Sequence, residues 1–189
     1  MDKISVCNMV LDLLSIPRIT SFDDNSNQAQ KCKLFFPTVA ERVLRDHFWS
    51  FALTGCKIVE SPEEVFDDDF LKVGILPTDL IRIVKVSGDQ PYRRNGMRIY
   101  SDKFPLKLIY VRRELNPEAW DASFLEAFQN LLSCELSASI TSDISKRDYY
   151  RKEYERILSL ARTIDSQENR YQFNRKPNER FDFIKSRRH

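Results

Sequence analysis

The chain has 189 residues, 42% hydrophobic and 31% charged, and its 30 lysines and arginines nearly cancel its 28 aspartates and glutamates, leaving +2. That length and balance predict a soluble globular domain with a full core, and exclude whole-chain disorder and a globally basic nucleic-acid binder. Four glycines, the nearest pair eight residues apart, leave no GxGxxG or P-loop phosphate cradle, and two histidines offer little to a metal site or a His-based triad.

In chain order, the first helix is predicted over about residues 2–14, with Val6, Val10, Leu13 and Leu14 on one face and Pro17 beyond its end. Residues 20–27 are rich in Ser, Asp and Asn and supply candidate N-caps. The second helix is predicted over about 26–47, where Cys32, Phe35, Phe36, Val39, Ala40 and Val43 recur every three or four residues. Pro37 lies inside that pattern and should kink the helix near Lys33; two shorter helices are the alternative.

From 48 to 115 the pattern changes. Stretches 51–59, 80–87, 97–101 and 105–113 are short and rich in Ile, Val, Leu, Phe and Tyr, as strands are. Asn95-Gly96 predicts a hairpin through a type I′ turn, and Gly88-Asp89 a second turn. Residues 61–69, with Glu63, Glu64, Asp67, Asp68 and Asp69, read as an acidic surface loop without the ligand spacing of an EF-hand.

A third helix should follow Asn116-Pro117, capped by Asp121 or Ser123, with Phe124, Phe128, Leu131 and Leu132 as its apolar stripe and Leu125, Leu136 and Ile140 beside it. A turn at 141–143 leads to a fourth helix over about 144–168, periodic in Tyr150, Tyr154, Ile157, Leu158, Ala161 and Ile164. The short link makes the last two helices antiparallel neighbours. The fold class expected is α+β: a four-helix bundle (1–47 and 116–170) with a β-rich insertion (48–115) and an extended C-terminal tail (171–189). That tail carries six basic and two acidic residues, hence +4, together with Tyr171, Phe173, Phe181 and Phe183.

The four cysteines show no CxxC pairing and read as apolar fillers in a reducing compartment. No apolar run reaches membrane-spanning length and no signal-peptide pattern opens the chain, so a cytoplasmic, non-membrane protein is expected. His47, beside Phe48-Trp49, reads as a packed or capping histidine. No nucleophile elbow or carboxylate pair is evident, so no catalytic, cofactor or metal residue is assigned. Basic and aromatic residues in the tail, with Arg93, Arg94 and Arg98, could hold phosphates and stack bases; a DNA-binding regulatory protein is the alternative function. The same tail residues are also the types enriched as anchors in protein interfaces.

The order of several motifs carries a resemblance. Phe35-Phe36-Pro37 lies in the second helix, and Phe48-Trp49-Ser50-Phe51-Ala52-Leu53 follows it. Leu76-Pro77-Thr78-Asp79-Leu80-Ile81-Arg82-Ile83 enters a strand, and Pro91-Tyr92 with 96–100 forms the hairpin. Tyr110 precedes Trp120-Asp121-Ala122-Ser123-Phe124-Leu125-Glu126-Ala127, and Tyr154, Ala161 and 165–168 close the fourth helix. Over residues 28–170 this resembles the tubular tail protein A, or head-to-tail adaptor, family of short-tailed bacteriophages, with its W-x-F-A, L-P-x-D-x-L-R and F-x-x-A motifs. Phe70 to Ile75 stands where many members are rich in aromatics.

The resemblance implies a structural virion protein of the neck, assembled in the host bacterial cytoplasm. It implies a ring of copies of this chain, usually twelve, joining the portal protein to the next, nozzle-type, tail protein. DNA passes through the lumen without sequence readout. The C-terminal extension reaches the portal, with Phe173, Arg175, Arg180, Phe181 and Phe183 as its candidate anchors on portal or neighbouring subunit.

Overall fold

The structure is a computed structural model that describes residues 1–88 and 90–173, with side chains in the final helix described as far as residue 164. It is an α+β protein with four α-helices and two small antiparallel sheets of three strands each.

The first helix, α1 (Lys3–Leu13), starts where the Asp2 carboxylate accepts the Ser5 N–H at 2.7 Å. It buries Val6, Cys7, Val10 and Leu11; Leu13, expected inside, points to solvent. The helix closes at Leu14 and the left-handed Ser15 rotates the chain away, before Pro17 is reached. Asn8 then ties the returning loop down, exchanging two 2.9 Å hydrogen bonds with the backbone of Ile19.

Ser26 caps α2 (Asn27–Asp46), which runs through Pro37 as one helix. Proline has no N–H to give to the Lys33 carbonyl, yet the buried stripe of Cys32, Phe36, Val39, Ala40 and Val43 holds the turns on either side. After the strands, Asp121 caps α3 (Ala122–Leu136) by accepting the Phe124 N–H at 2.7 Å. A π-helical turn, Ser137–Thr141, and the left-handed Ser142 lead into α4 (Ile144–Phe173). Thirty residues make α4 about 45 Å long. It reaches three residues into the segment expected to be extended from 171. Tyr154, Ile157, Leu158 and Ala161 are its buried face; Ile164, expected to share it, is exposed.

The helix α3 lies centrally, in contact with α1, α2 and α4. Phe36, Trp120, Phe124 and Phe128 stack edge-on and face-on around it at centroid distances of 4.7–5.7 Å. Such aromatic pairs add to their burial because ring edges meet ring faces.

Between α2 and α3 the chain forms β1 (Leu53–Ile58), β2 (Val73–Ile75), β3 (Leu80–Val86), β4 (Arg93–Asn95), β5 (Arg98–Tyr100) and β6 (Leu106–Arg112). One sheet has the order β1-β6-β3, the other β2-β5-β4. The predicted strands are present, shortened at their ends, and β2 is an addition. The first stretch starts with a 3₁₀ turn at Ser50–Ala52 before it becomes β1. The hairpin also forms, but with another turn. Asn95 pairs with Arg98 inside the ladder, so Gly96 and Met97 are the central residues, and of these only Gly96 has positive φ (+59°). That is the requirement of a type II′ turn; type I′ would need positive φ at both. Gly88 also has positive φ, at the second predicted turn.

Candidate functional site

The motifs that carry the resemblance meet where the helices adjoin the strands. Trp49 is buried where α2 ends; its Nε1 donates to the Val43 carbonyl at 2.8 Å and its ring meets Phe124 edge-on at 5.2 Å. Phe51 meets the same Phe124 ring at 5.0 Å, and Ala52 is fully buried. The guanidinium of Arg82 lies over Phe48 at 4.3 Å and donates to the Arg45 carbonyl, pinning β3 to the end of α2. Asp79 accepts the Tyr110 hydroxyl at 3.1 Å, and its carbonyl accepts the Arg113 N–H at 2.7 Å. Burial, then this hydrogen bond to Asp79, pushes the Tyr110 phenol up to about 12.

Alternation along the strands separates the two faces of the first sheet. Leu106, Leu108 and Tyr110 of β6 turn inward, with Ile58 of β1, onto a second core that includes Leu76, just past β2, and Ile99 of the other sheet. The opposite face is covered at one end, where Val111 and Ile81 join the helical core. Beyond that end it is bare. Lys57 stands directly across from Lys107, and Lys85 across from Ile109; all four are exposed. Among the described residues these three lysines form no ion pair.

The second sheet is covered on its outer side by the acidic loop. Arg98 donates to Glu63 at 2.8 Å, and Arg93 holds Asp67 at 3.1 Å and Asp69 as well. Hydrogen bonding to Asp69, with the charges of Asp67 and Asp69, pushes the Arg93 guanidinium up; Glu63 does the same for Arg98. The Asp67 side chain is only 6% exposed. The acidic loop lies at the surface, as expected, and is tied to the hairpin, so that two of the three hairpin arginines considered for phosphate binding already hold carboxylates. Arg94 donates to the Gly96 carbonyl.

His47 closes α2 and is buried with its ring edge-on to Trp49 at 4.8 Å, as a packed, capping histidine. A cleft of about 160 Å³ beside it is lined by Ser50, Asp121, Ser123, Ala161 and Ile164. Asp121 is occupied as the cap of α3. Among the described residues no group of three His, Cys, Asp or Glu converges as a metal site. The cysteines are free thiols, and Cys7, Cys32 and Cys134 are buried. No helix among the described residues is long and apolar enough to cross a membrane.

Of the predicted partner anchors, Arg175, Arg180, Phe181 and Phe183 lie outside the described residues, and Phe173 is the last residue of the α4 backbone. Sequence reading missed the lysine face. Its signal is one exposed lysine in each of β1, β3 and β6, and it becomes visible only once register sets Lys57 opposite Lys107 and Lys85 opposite Ile109. No protein-family profile matches the chain, and no curated protein matches it significantly.

Proposed function

We propose that this chain is a structural head-to-tail adaptor of a short-tailed bacteriophage, forming a ring that joins the portal to the tail around the DNA passage. In this reading α1 to α4 are the four-helix bundle that carries the ring, the six strands are an insertion facing the next tail component, and the chain works in the virion neck without catalysis or cofactor.

One observation carries the reading: the three motifs behind the resemblance are neighbours in space. Trp49 and Phe51 of the W-x-F-A segment pack on Phe124 of F-x-x-A, and Arg82 of the L-P-x-D-x-L-R segment covers Phe48. Contacts between residues 34 (Phe48 and Arg82) and 73 to 75 (Phe51 and Trp49 with Phe124) apart in sequence thus build one joint, which ties a two-sheet insertion to a helical body. A joint of this kind suits a protein that transmits position between two larger assemblies. The near-zero net charge lets many copies pack without strong mutual repulsion.

The test is the light-scattering mass of the full-length chain, alone and with a portal protein from the same genome. A large defined complex with the portal is expected. A monomer in both samples would overturn the adaptor reading.

A further inference from the structure

The bare lysine face violates a local rule of sheet design. Like charges directly opposite on one face repel, and Lys57 faces Lys107 with Lys85 close by on the other side of β6. Neighbouring strands are about 4.8 Å apart and same-face residues of one strand about 6.8 Å apart, so three exposed lysines are rooted around exposed Ile109. A carboxylate among them would relieve the repulsion, and among the described residues none is there. Among the described residues the conflict is uncompensated, and local conflicts of this kind concentrate at functional surfaces, where a partner's carboxylates would relieve it.

The opposite side of the insertion offers what that partner needs. From 64 to 68, up to the bend at Asp68, exposure alternates along the loop. Val65 and Asp67 turn inward, the latter to Arg93, while Glu64, Phe66 and Asp68 face out. Phe66 is 74% exposed. Glu64 and Asp68, both exposed, flank it in the sequence. The loop lies outside the second sheet, and the lysines lie outside the first, with the second core between them. One side of the insertion is thus basic with an apolar centre, and the other is acidic with an apolar centre.

We propose that the lysine face of one copy receives the Glu64-Phe66-Asp68 segment of the next. Phe66 lies on Ile109, and the carboxylates lie among Lys57, Lys85 and Lys107. The two patches are different and lie on opposite sides, so the contact is heterologous, the kind that builds a ring when the rotation from copy to copy closes. The pairing deepens the ring reading and relies on it for closure, but it can be measured with no portal present.

Two charge-reversed chains test it: Lys57→Glu with Lys107→Glu, and Glu64→Lys with Asp68→Lys. Association is followed by sedimentation equilibrium at about 0.01 M salt, where charges act over about 30 Å. The natural chain should self-associate, and more weakly as salt rises. Each reversed chain alone should associate at least about tenfold more weakly, because like patches then meet. An equimolar mixture of the two should regain association, since each copy's segment then meets a face of opposite sign. Regain also shows that both variants fold. Phe66→Ala should weaken association without altering charge. A natural chain that stays monomeric, or a mixture no stronger than its components, would overturn the pairing. Retention on heparin that depends on the lysines, without self-association, would assign the face to a polyanion instead and equally overturn it. Portal binding with no self-association would leave the adaptor reading standing and remove only this interface.

Discussion

Gly74 has two side chains where a methyl group would stand. A Cβ built there would lie 2.6 Å from both Ile58 and Phe104, so the two sheets can approach only over a glycine. Gly74→Ala should cost about 1–3 kcal/mol of stability, read as a lower denaturant midpoint with unchanged slope. Tyr110 makes the same core pH-dependent. It is an acid that the fold keeps neutral, its pKa raised from an ordinary 10.0 to about 12 by burial and by Asp79. Its contribution is complete below about pH 10 and is lost as pH rises from 10 towards 12. Tyr110→Phe should flatten that decline in pH-dependent unfolding, while removing the phenol's hydrogen bond to Asp79. A decline just as steep in the variant would assign the loss to other groups. Neither residue advertises this in the sequence. A glycine in a strand and a tyrosine two residues from a strand end look ordinary until the second sheet is packed over them.

Among elements, helices were easier to anticipate than strands, for a physical reason. A helix buries a stripe that local spacing exposes to view, and Phe124, Phe128, Leu131 and Leu132 are all buried as their spacing suggests. The chosen cap is equally local. Asp121 rather than Ser123 accepts the Phe124 N–H, and Asp121→Ala should cost about 1 kcal/mol in thermal or denaturant unfolding. Strand β2 has three residues, too few for a period, and exists because β5 supplies its hydrogen bonds. The docking of the acidic loop depends on pairs 24 to 35 residues apart, Arg93 with Asp67 and Asp69 and Arg98 with Glu63. Charge composition alone cannot tell such a loop from a solvated one. The hairpin turn slipped by one residue because the glycine requirement is met by either turn, and pairing of Asn95 with Arg98 decides between them.

At the scale of the whole molecule, the packing of α4 separates folding from any role of the chain's last residues. Tyr154, Ile157, Leu158 and Ala161 are its core contacts, and the Tyr154 hydroxyl donates to Asp46 at 2.7 Å, joining α4 to the end of α2. All of these precede residue 165. Removing residues 171–189 should therefore leave the thermal midpoint within a few degrees of the full chain, because no buried contact described for α4 is lost. Under the adaptor reading the same truncation removes Phe173, Arg175, Arg180, Phe181 and Phe183 together, and should abolish the portal complex seen by light scattering. Phe128→Ala is the converse variant: it empties part of the aromatic cluster around α3 and should cost about 3–5 kcal/mol, while touching none of the tail. If the truncated chain keeps its midpoint and still forms the portal complex, the tail is not the portal anchor. If it loses its fold as Phe128→Ala does, the tail belongs to the core. A retained midpoint with a lost complex is the outcome that a separate, partner-facing tail requires.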